Sequence, residues 1–142
     1  MNSNEQILTS LLHAVQMGQS GIDCVLDQVE NSQLRQQLLY QRSEYDQFEQ
    51  QAKQIAAAHG WCLKDICPAT VKMSQLVSRM KLMGNHEDSK IADMMIQGNT
   101  KGMIQGLKDL HRCRQVEPDV GRYAKNLIDT ETANIQKTQP FL

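Results

Sequence analysis

Polar side chains interrupt or border the apolar faces of four segments that have helical spacing. They are Gln19, Glu44, Asn99, Glu131 and Asn134. Carboxylates from several helices are the ligands of carboxylate-bridged metal centres, whereas carboxylates and amides together form hydrogen-bonded networks. Because a buried polar group without a partner costs roughly 1–3 kcal/mol, these residues predict one of those two arrangements in the core.

Four long helical segments position these residues, and a shorter one connects the second to the third. Apolar residues recur three and four positions apart in each long segment, which is the spacing of one helix face. Pro118 suits a first helical position, and Gly60 suits the position after a last turn. The predicted helices cover about 3–29, 33–59, 70–83, 89–113 and 118–138 of a single domain over 1–142.

The long connection between Gly60 and Asp88 can carry the chain from one end of a bundle to the other. The first and fourth long helices then run in one direction and the second and third run in the other, up-down-down-up. At about 1.5 Å of rise per residue, the polar residues all lie roughly 20–24 Å above the same end. The sequence therefore predicts an all-α four-helix bundle with a helical crossover and one polar layer across its core.

This layout resembles the ferritin-like superfamily. Its di-metal centres take a glutamate from each of two helices and a Glu-x-x-His motif from each of the other two. The stretch Glu44–Gln47 resembles that motif with glutamine in place of histidine, and Glu131–Asn134 resembles it with asparagine. Gln19 and Asn99 stand near the positions of the other two glutamates.

The departures from the ferritin-like pattern favour a network over a metal site. Only Glu44 and Glu131 are carboxylates, while Gln19, Gln47 and the two asparagines are neutral amides that bind first-row metals poorly. We therefore expect hydrogen bonds that fix the register of the helices, and no resident cofactor. The alternative is an iron or manganese site on the two glutamates, in an oxidoreductase or a storage-type protein.

Three shorter stretches carry further resemblances. Leu11–Ile22 and Met95–Leu110 are similar to an uncharacterised bacterial family of ferritin-like bundles. The stretch His59–Asp65 resembles the turn after the second helix of spore coat F-type proteins, which are also ferritin-like. This second resemblance implies a packing role in sporulation or at the cell envelope, with a spore-associated location.

Cysteine and histidine residues cluster near the predicted lower end of the bundle. They are His59, Cys62, Cys67, His111 and Cys113. Thiolates and imidazoles are the ligands of tetrahedral zinc, but the spacings here are not those of the usual ligand pairs. The expectation is that Cys62 and Cys67 are buried as small hydrophobes and that the histidines lie on the surface near helix C-termini. A zinc site is the alternative.

Methionines are concentrated on the crossover helix and at the start of the third long helix. They are Met73, Met80, Met83, Met94, Met95 and Met103. Unbranched, polarizable side chains of this kind suit core packing and adaptable interfaces. We expect the crossover helix to pack on its own bundle or on a second copy in a homodimer. A different protein partner and weak membrane association are the alternatives.

Composition and charge exclude several classes of function. The formal net charge is −1 at pH 7 and no basic face is present, so nucleic acid is not expected as a partner. No apolar run approaches the roughly 18 residues of a membrane span, and the N-terminus does not resemble a signal peptide, so we expect a cytoplasmic protein. No nucleophile-base pattern favours catalysis. The expected function is that of a non-catalytic structural or interaction protein.

Overall fold

The computed structural model describes residues 2–142, and this part of the chain contains α-helices and short 3-10 turns but no β-strand. The prediction of an all-α protein is confirmed. None of the helices in this range is long and apolar enough to cross a membrane. The α-helices are α1 (Ser3–Val25), α2 (Ser32–His59), α3 (Pro68–Leu82), α4 (Asp88–Arg112) and α5 (Pro118–Thr138).

Local chemistry sets where the helices begin and end. The side chain of Asn31 accepts hydrogen bonds from the first free backbone N–H groups of α2. Gly60 ends α2 with a φ of 72°, a left-handed conformation that is inexpensive only for glycine. The first helix is shorter than the predicted range 3–29, because the chain tightens into a 3-10 turn over Leu26–Gln28.

Four long helices enclose one hydrophobic core. Both α1 and α5 pack against α2 and α4, so each of these four helices has two neighbours in the ring. Leucines dominate the fully buried positions: Leu8, Leu11, Leu12, Leu34, Leu38 and Leu127. The shorter helix α3 lies outside this ring and packs against α1, and Leu82 is its one buried residue.

Hydrogen bonds at the helix ends show which ends meet. Asn4, in the first turn of α1, bonds to the backbone just before α5 at 2.8 and 3.0 Å. His59 ends α2 and lies 2.8 Å from Asp119 at the start of α5. At the other end, Asp88 of α4 accepts two backbone N–H groups from the turn between α1 and α2. Thus α1 and α5 run in one direction, and α2 and α4 run in the other.

The connection from α2 to α3 is held against α1 by side-chain hydrogen bonds. Gln16 donates to Asp65 at 2.9 Å and accepts the backbone N–H of Ile66 at 2.8 Å. A ring nitrogen of His13 lies 2.9 Å from the carbonyl oxygen of Lys64. These contacts fix where α3 begins, and α3 then packs along α1.

Candidate functional site

A hydrogen-bonded group of three side chains lies in the middle of the core. The hydroxyl of Tyr45 donates to Oε1 of Glu131 at 2.6 Å, and the amide of Asn99 donates to Oε2 at 3.2 Å. The exposed fractions are 5% for Tyr45 and 2% for each of the other two residues. Because the three residues come from α2, α4 and α5, the group ties three helices together at one level.

A second part of the same layer lies between α2 and α5. The amide of Asn134 donates to Glu44 at 3.1 Å, and Asn134 is buried while Glu44 is half-buried. The backbone carbonyl of Asn134 accepts a hydrogen bond from the hydroxyl of Thr138 at 2.7 Å, and the amide of Gln41 donates to the same hydroxyl at 3.2 Å. Polar side chains therefore continue along the α2–α5 contact towards the end of α5.

Glycines make room for the central group. A Cβ at Gly18 of α1 would lie 2.6 Å from ring carbons of Tyr45, which is closer than any van der Waals contact allows. A Cβ at Gly102 of α4 would lie 3.2 Å from Oε2 of Glu131. The sequence therefore leaves side chains out of α1 and α4 where the ring and the carboxylate approach.

Two of the predicted layer residues lie elsewhere, which corrects the sequence interpretation. Gln19 donates to Asp46 at 3.0 Å on the surface of the α1–α2 pair, and Gln47 is exposed. The helix turns Gly18 rather than Gln19 towards the core, because the ring of Tyr45 fills the space beside it. Glu44, Asn99, Glu131 and Asn134 are brought together as expected for a polar layer.

Burial changes the acid chemistry of the central group. Loss of hydration raises the pKa of Glu131 to about 7, although the hydrogen bonds from Tyr45 and Asn99 act to lower it. The nearby charge of Glu44 raises it further. Burial, and then the charge of Glu131, raises the pKa of Tyr45 well above its ordinary value. The tyrosine therefore stays a donor, and the carboxyl group changes charge near neutral pH.

The layer offers oxygen atoms alone as possible metal ligands. Across residues 2–142, no three His, Cys, Asp or Glu side chains approach closely enough to hold a metal ion. The side-chain carbonyl oxygens of Asn99 and Asn134 are buried and have no hydrogen-bond partner in the part of the chain that the structure describes. Carbonyl and carboxylate oxygens suit hard cations such as Mg²⁺, Ca²⁺ and Mn²⁺.

The histidines at the lower end of the molecule do not come together in a metal-binding arrangement. His59 pairs with Asp119 and stacks on Trp61 with 4.2 Å between the ring centroids. His111 is exposed at the end of α4. The imidazole of His59 is thus occupied by a carboxylate and an aromatic face.

The thiols of this predicted cluster also differ from expectation. Cys62 and Cys67 are both exposed, so the prediction that they are buried is wrong, and Cys113 is half-buried. The physical reason is the path of the connection after α2, which packs Trp61 and Leu63 against the core and leaves the cysteines outside. Backbone hydrogen bonds from the first turn of α3 lower the pKa of the Cys67 thiol.

A cleft of about 1230 Å³ opens between α1, α3 and α4 and reaches the central group. Tyr45, Asn99 and Glu131 line its inner end. The sequence interpretation missed this cleft because it is a space between helices, and its size depends on where α3 lies. The available signal was the pair Gly21 and Gly98, where an added Cβ would meet nothing within 4 Å.

No protein-family model, no curated protein and no solved structure matches this chain.

Proposed function

We propose that this chain is a non-catalytic interaction protein built as a ferritin-like four-helix bundle, with α3 as the crossover helix. The ring order of the long helices and their directions support this topology. In the proposal, the inner layer is a hydrogen-bonded network that stands where ferritin-like proteins hold a di-metal centre. The function then depends on the surfaces and the cleft of the bundle and not on redox chemistry.

The pairing of the buried carboxylate carries this proposal. Both oxygens of Glu131 already accept hydrogen bonds, from Tyr45 and Asn99, and Glu44 is paired with Asn134. The pKa of Glu131 lies at about 7 because no cationic group offsets its burial. A di-metal site needs several ionised ligands around each ion, whereas this layer contributes only two carboxylates.

Metal analysis of the purified protein tests the proposal. The protein is prepared without chelator or affinity tag, and iron, manganese and zinc are measured per chain before and after incubation with ferrous iron. We expect no stoichiometric metal and no ferrous-iron oxidation above the buffer rate. Iron or manganese at one or two ions per chain, lost in both Glu44→Gln and Glu131→Gln, would overturn the proposal.

A second candidate function is metal binding by the same layer, with iron or manganese on Glu44 and Glu131. The side-chain carbonyl oxygens of Asn99 and Asn134 favour this function, because they have no hydrogen-bond partner among the described residues. The amide nitrogens of the same two residues donate to Glu131 and Glu44, so these oxygens lie close to the carboxylates. The four groups together supply oxygen ligands from α2, α4 and α5. In that case added Mn²⁺ should raise the melting temperature of the wild type and leave Glu131→Gln unchanged.

Self-association through α3 is the proposed form of the interaction. Met73 and Met80 are each 62% exposed, and Leu76 between them is 52% exposed. An apolar helix face of this kind is typical of a covered surface. We expect a homodimer in light scattering at micromolar concentration and a monomer in Met80→Glu. Such packing fits the role that the spore-coat-like stretch His59–Asp65 implies.

A further inference from the structure

Two glycines line the cleft between α1, α3 and α4 at positions where a side chain would meet only open space. Gly21 of α1 and Gly98 of α4 both line it, and a Cβ at either position would have no atom within 4 Å. Gly18, Gly102 and Gly106 differ, because side chains of this chain pack where their Cβ atoms would be. Among residues 2–142, no neighbouring atom accounts for glycine at positions 21 and 98, although glycine weakens a helix relative to alanine.

The cleft has walls of mixed apolar and neutral polar side chains and is acidic at its inner end. Methionine and branched aliphatic side chains form much of the wall: Met17, Ile22, Met73, Val77, Met94 and Met95. At the inner end, Glu131 has Glu44 as its charged neighbour, and no described cationic side chain forms an ion pair with it. Lys81 and Lys101 also line the cleft, but both are exposed at its solvent side.

We propose that this cleft binds a small amphipathic amine. Its apolar body lies between the glycine-bearing faces of α1 and α4, and its ammonium group lies at the inner end beside Glu131. There the ammonium can donate to the carboxylate and to the side-chain carbonyl oxygen of Asn99, which has no hydrogen-bond partner among the described residues. The inference rests on the proposed function in one respect, namely that no metal ion occupies the polar layer.

The charge distribution favours an amine over other head groups. A carboxylate at the inner end would stand beside Glu131, which has Glu44 as its charged neighbour, and would be repelled. An alcohol could donate one hydrogen bond but would bring no counter-charge to the buried carboxylate. An ammonium brings both, and it supplies the positive charge that no side chain of residues 2–142 brings to Glu131. The lysines at the solvent side disfavour the reversed orientation, with the ammonium outwards.

Three molecules with the same apolar chain separate the contributions of head group and tail. They are n-octylamine, n-octanol and n-octanoate, titrated calorimetrically at pH 7.5 below their micelle concentrations. We expect octylamine to bind at one site per chain, at least about ten-fold more tightly than octanol, with no measurable binding of octanoate. Equal binding of octylamine and octanol would overturn the assignment of the head group. Absence of binding by all three would overturn the cleft as a site for such molecules.

Matched variants locate the binding. Glu131→Gln should weaken octylamine binding at least about ten-fold, whereas Asp129→Asn should leave it unchanged. Asp129 is exposed on the same helix, so both variants remove one negative charge. Unchanged affinity in Glu131→Gln would mean that the amine binds the acidic surface elsewhere, which contradicts the proposal.

Filling the cleft provides a test that is independent of charge. Gly98→Leu and Gly21→Leu each place a side chain into open space, so both proteins should fold with melting temperatures at or above that of the wild type. Each should abolish octylamine binding. Gln36→Leu is the control for an added surface leucine, because Gln36 is exposed on α2 and does not line the cleft. Retained binding in both glycine variants would overturn the proposed location.

Metal content measured on the same samples keeps the two proposals separable. If the protein is metal-free and binds none of the probes, the proposed amine site is wrong and the proposed network is not contradicted. If the protein carries iron or manganese on Glu131, the proposed function is wrong. The proposed amine site is then wrong as well, because the ion occupies the carboxylate. An amine that binds the metal-free protein and is lost in Glu131→Gln supports both.

Discussion

The polar layer in the core and the cysteine–histidine end both contain residue types that occur in metal sites, yet only in the layer do the side chains bond to one another. In the layer, α2, α4 and α5 each present a buried side chain at the same height, and these side chains bond to one another. At the lower end, Cys62 and Cys67 lie in and beside an irregular connection and turn outwards. Helix packing therefore brings distant residues together more reliably than proximity to a common end does.

Among the tests of this difference between the two regions, we expect the largest effect in the pH dependence of stability. The pKa of Glu131 rises from 4.5 to about 7 in the folded protein. The contribution of Glu131 to stability should therefore be largest below pH 4.5, decrease as the pH rises to about 7, and level off above that. The shift corresponds to about 3 kcal/mol. Urea unfolding across this range measures it, relative to Glu131→Gln, which removes this contribution.

The same variant makes a prediction about the network at high pH. In Glu131→Gln the hydroxyl of Tyr45 can still donate to the new side-chain carbonyl. Asn99 can turn its unpaired carbonyl oxygen towards the new amide. We expect Glu131→Gln to be more stable than the wild type at pH 8 and less stable, or equal, at pH 4. A destabilised variant at pH 8 would show that the ionised carboxylate is stabilised by a group such as a bound cation.

The next largest effect concerns the space beside Tyr45. Gly18→Ala should destabilise the protein by about 2 kcal/mol, because the new methyl group would lie 2.6 Å from the ring and force it to shift. Gly21→Ala, one turn away on the same helix, should stabilise by up to about 1 kcal/mol, because its Cβ meets nothing. Equal effects of the two substitutions in thermal unfolding would contradict the assigned role of Gly18.

A smaller effect is expected from removing one hydroxyl group. Tyr45→Phe keeps the ring but leaves Oε1 of Glu131 without its donor at 2.6 Å. The expected cost is about 1–2 kcal/mol at pH 8. Because this hydrogen bond lowers the pKa of Glu131, the pKa should rise in the variant. Carboxyl-carbon NMR titration of Glu131 measures that direction, and a fall in its pKa would be inconsistent with the network.

The smallest effects are expected at the lower end. Cys62→Ser and His111→Ala change exposed residues, so each should alter the free energy of unfolding by less than about 0.5 kcal/mol. Chelator treatment should likewise leave the melting temperature unchanged. If a chelator lowered the melting temperature of the wild type by several degrees but not that of Cys62→Ser, the lower end would hold a metal ion, which contradicts this prediction.

Periodicity made much of the fold predictable, and it also explains the principal error within the layer. Asn99, Glu131 and Asn134 fall inside apolar stripes, so their burial follows from spacing alone. In α1 the stripe has a gap after Val15, and both the third and the fourth residue beyond it fit an inward position. The choice between Gly18 and Gln19 depends on Tyr45 from another helix, which is a tertiary contact that spacing does not encode.

The cleft was not predictable for a related reason. Its width depends on where α3 lies, and that is set by Gln16 binding the connection at Asp65 and Ile66. Gln16 has no special sequence context and lies beside an apolar stripe like many helical glutamines. The hydroxyl of Tyr45 likewise bonds to Glu131, 86 positions away in sequence, and the spacing within α2 does not encode that contact.

The single buried side chain of α3 has a consequence for how the molecule moves. Detaching this helix exposes its one buried residue, Leu82, and breaks the hydrogen bonds of Gln75 with Ser20 and Cys24 of α1, whereas separating α1 from α2 opens the leucine core. Amide protons of α3 should therefore exchange with solvent through local opening, far faster than those of the four long helices. The outer wall of the cleft can thus adapt to what it covers at little cost to the stability of the core.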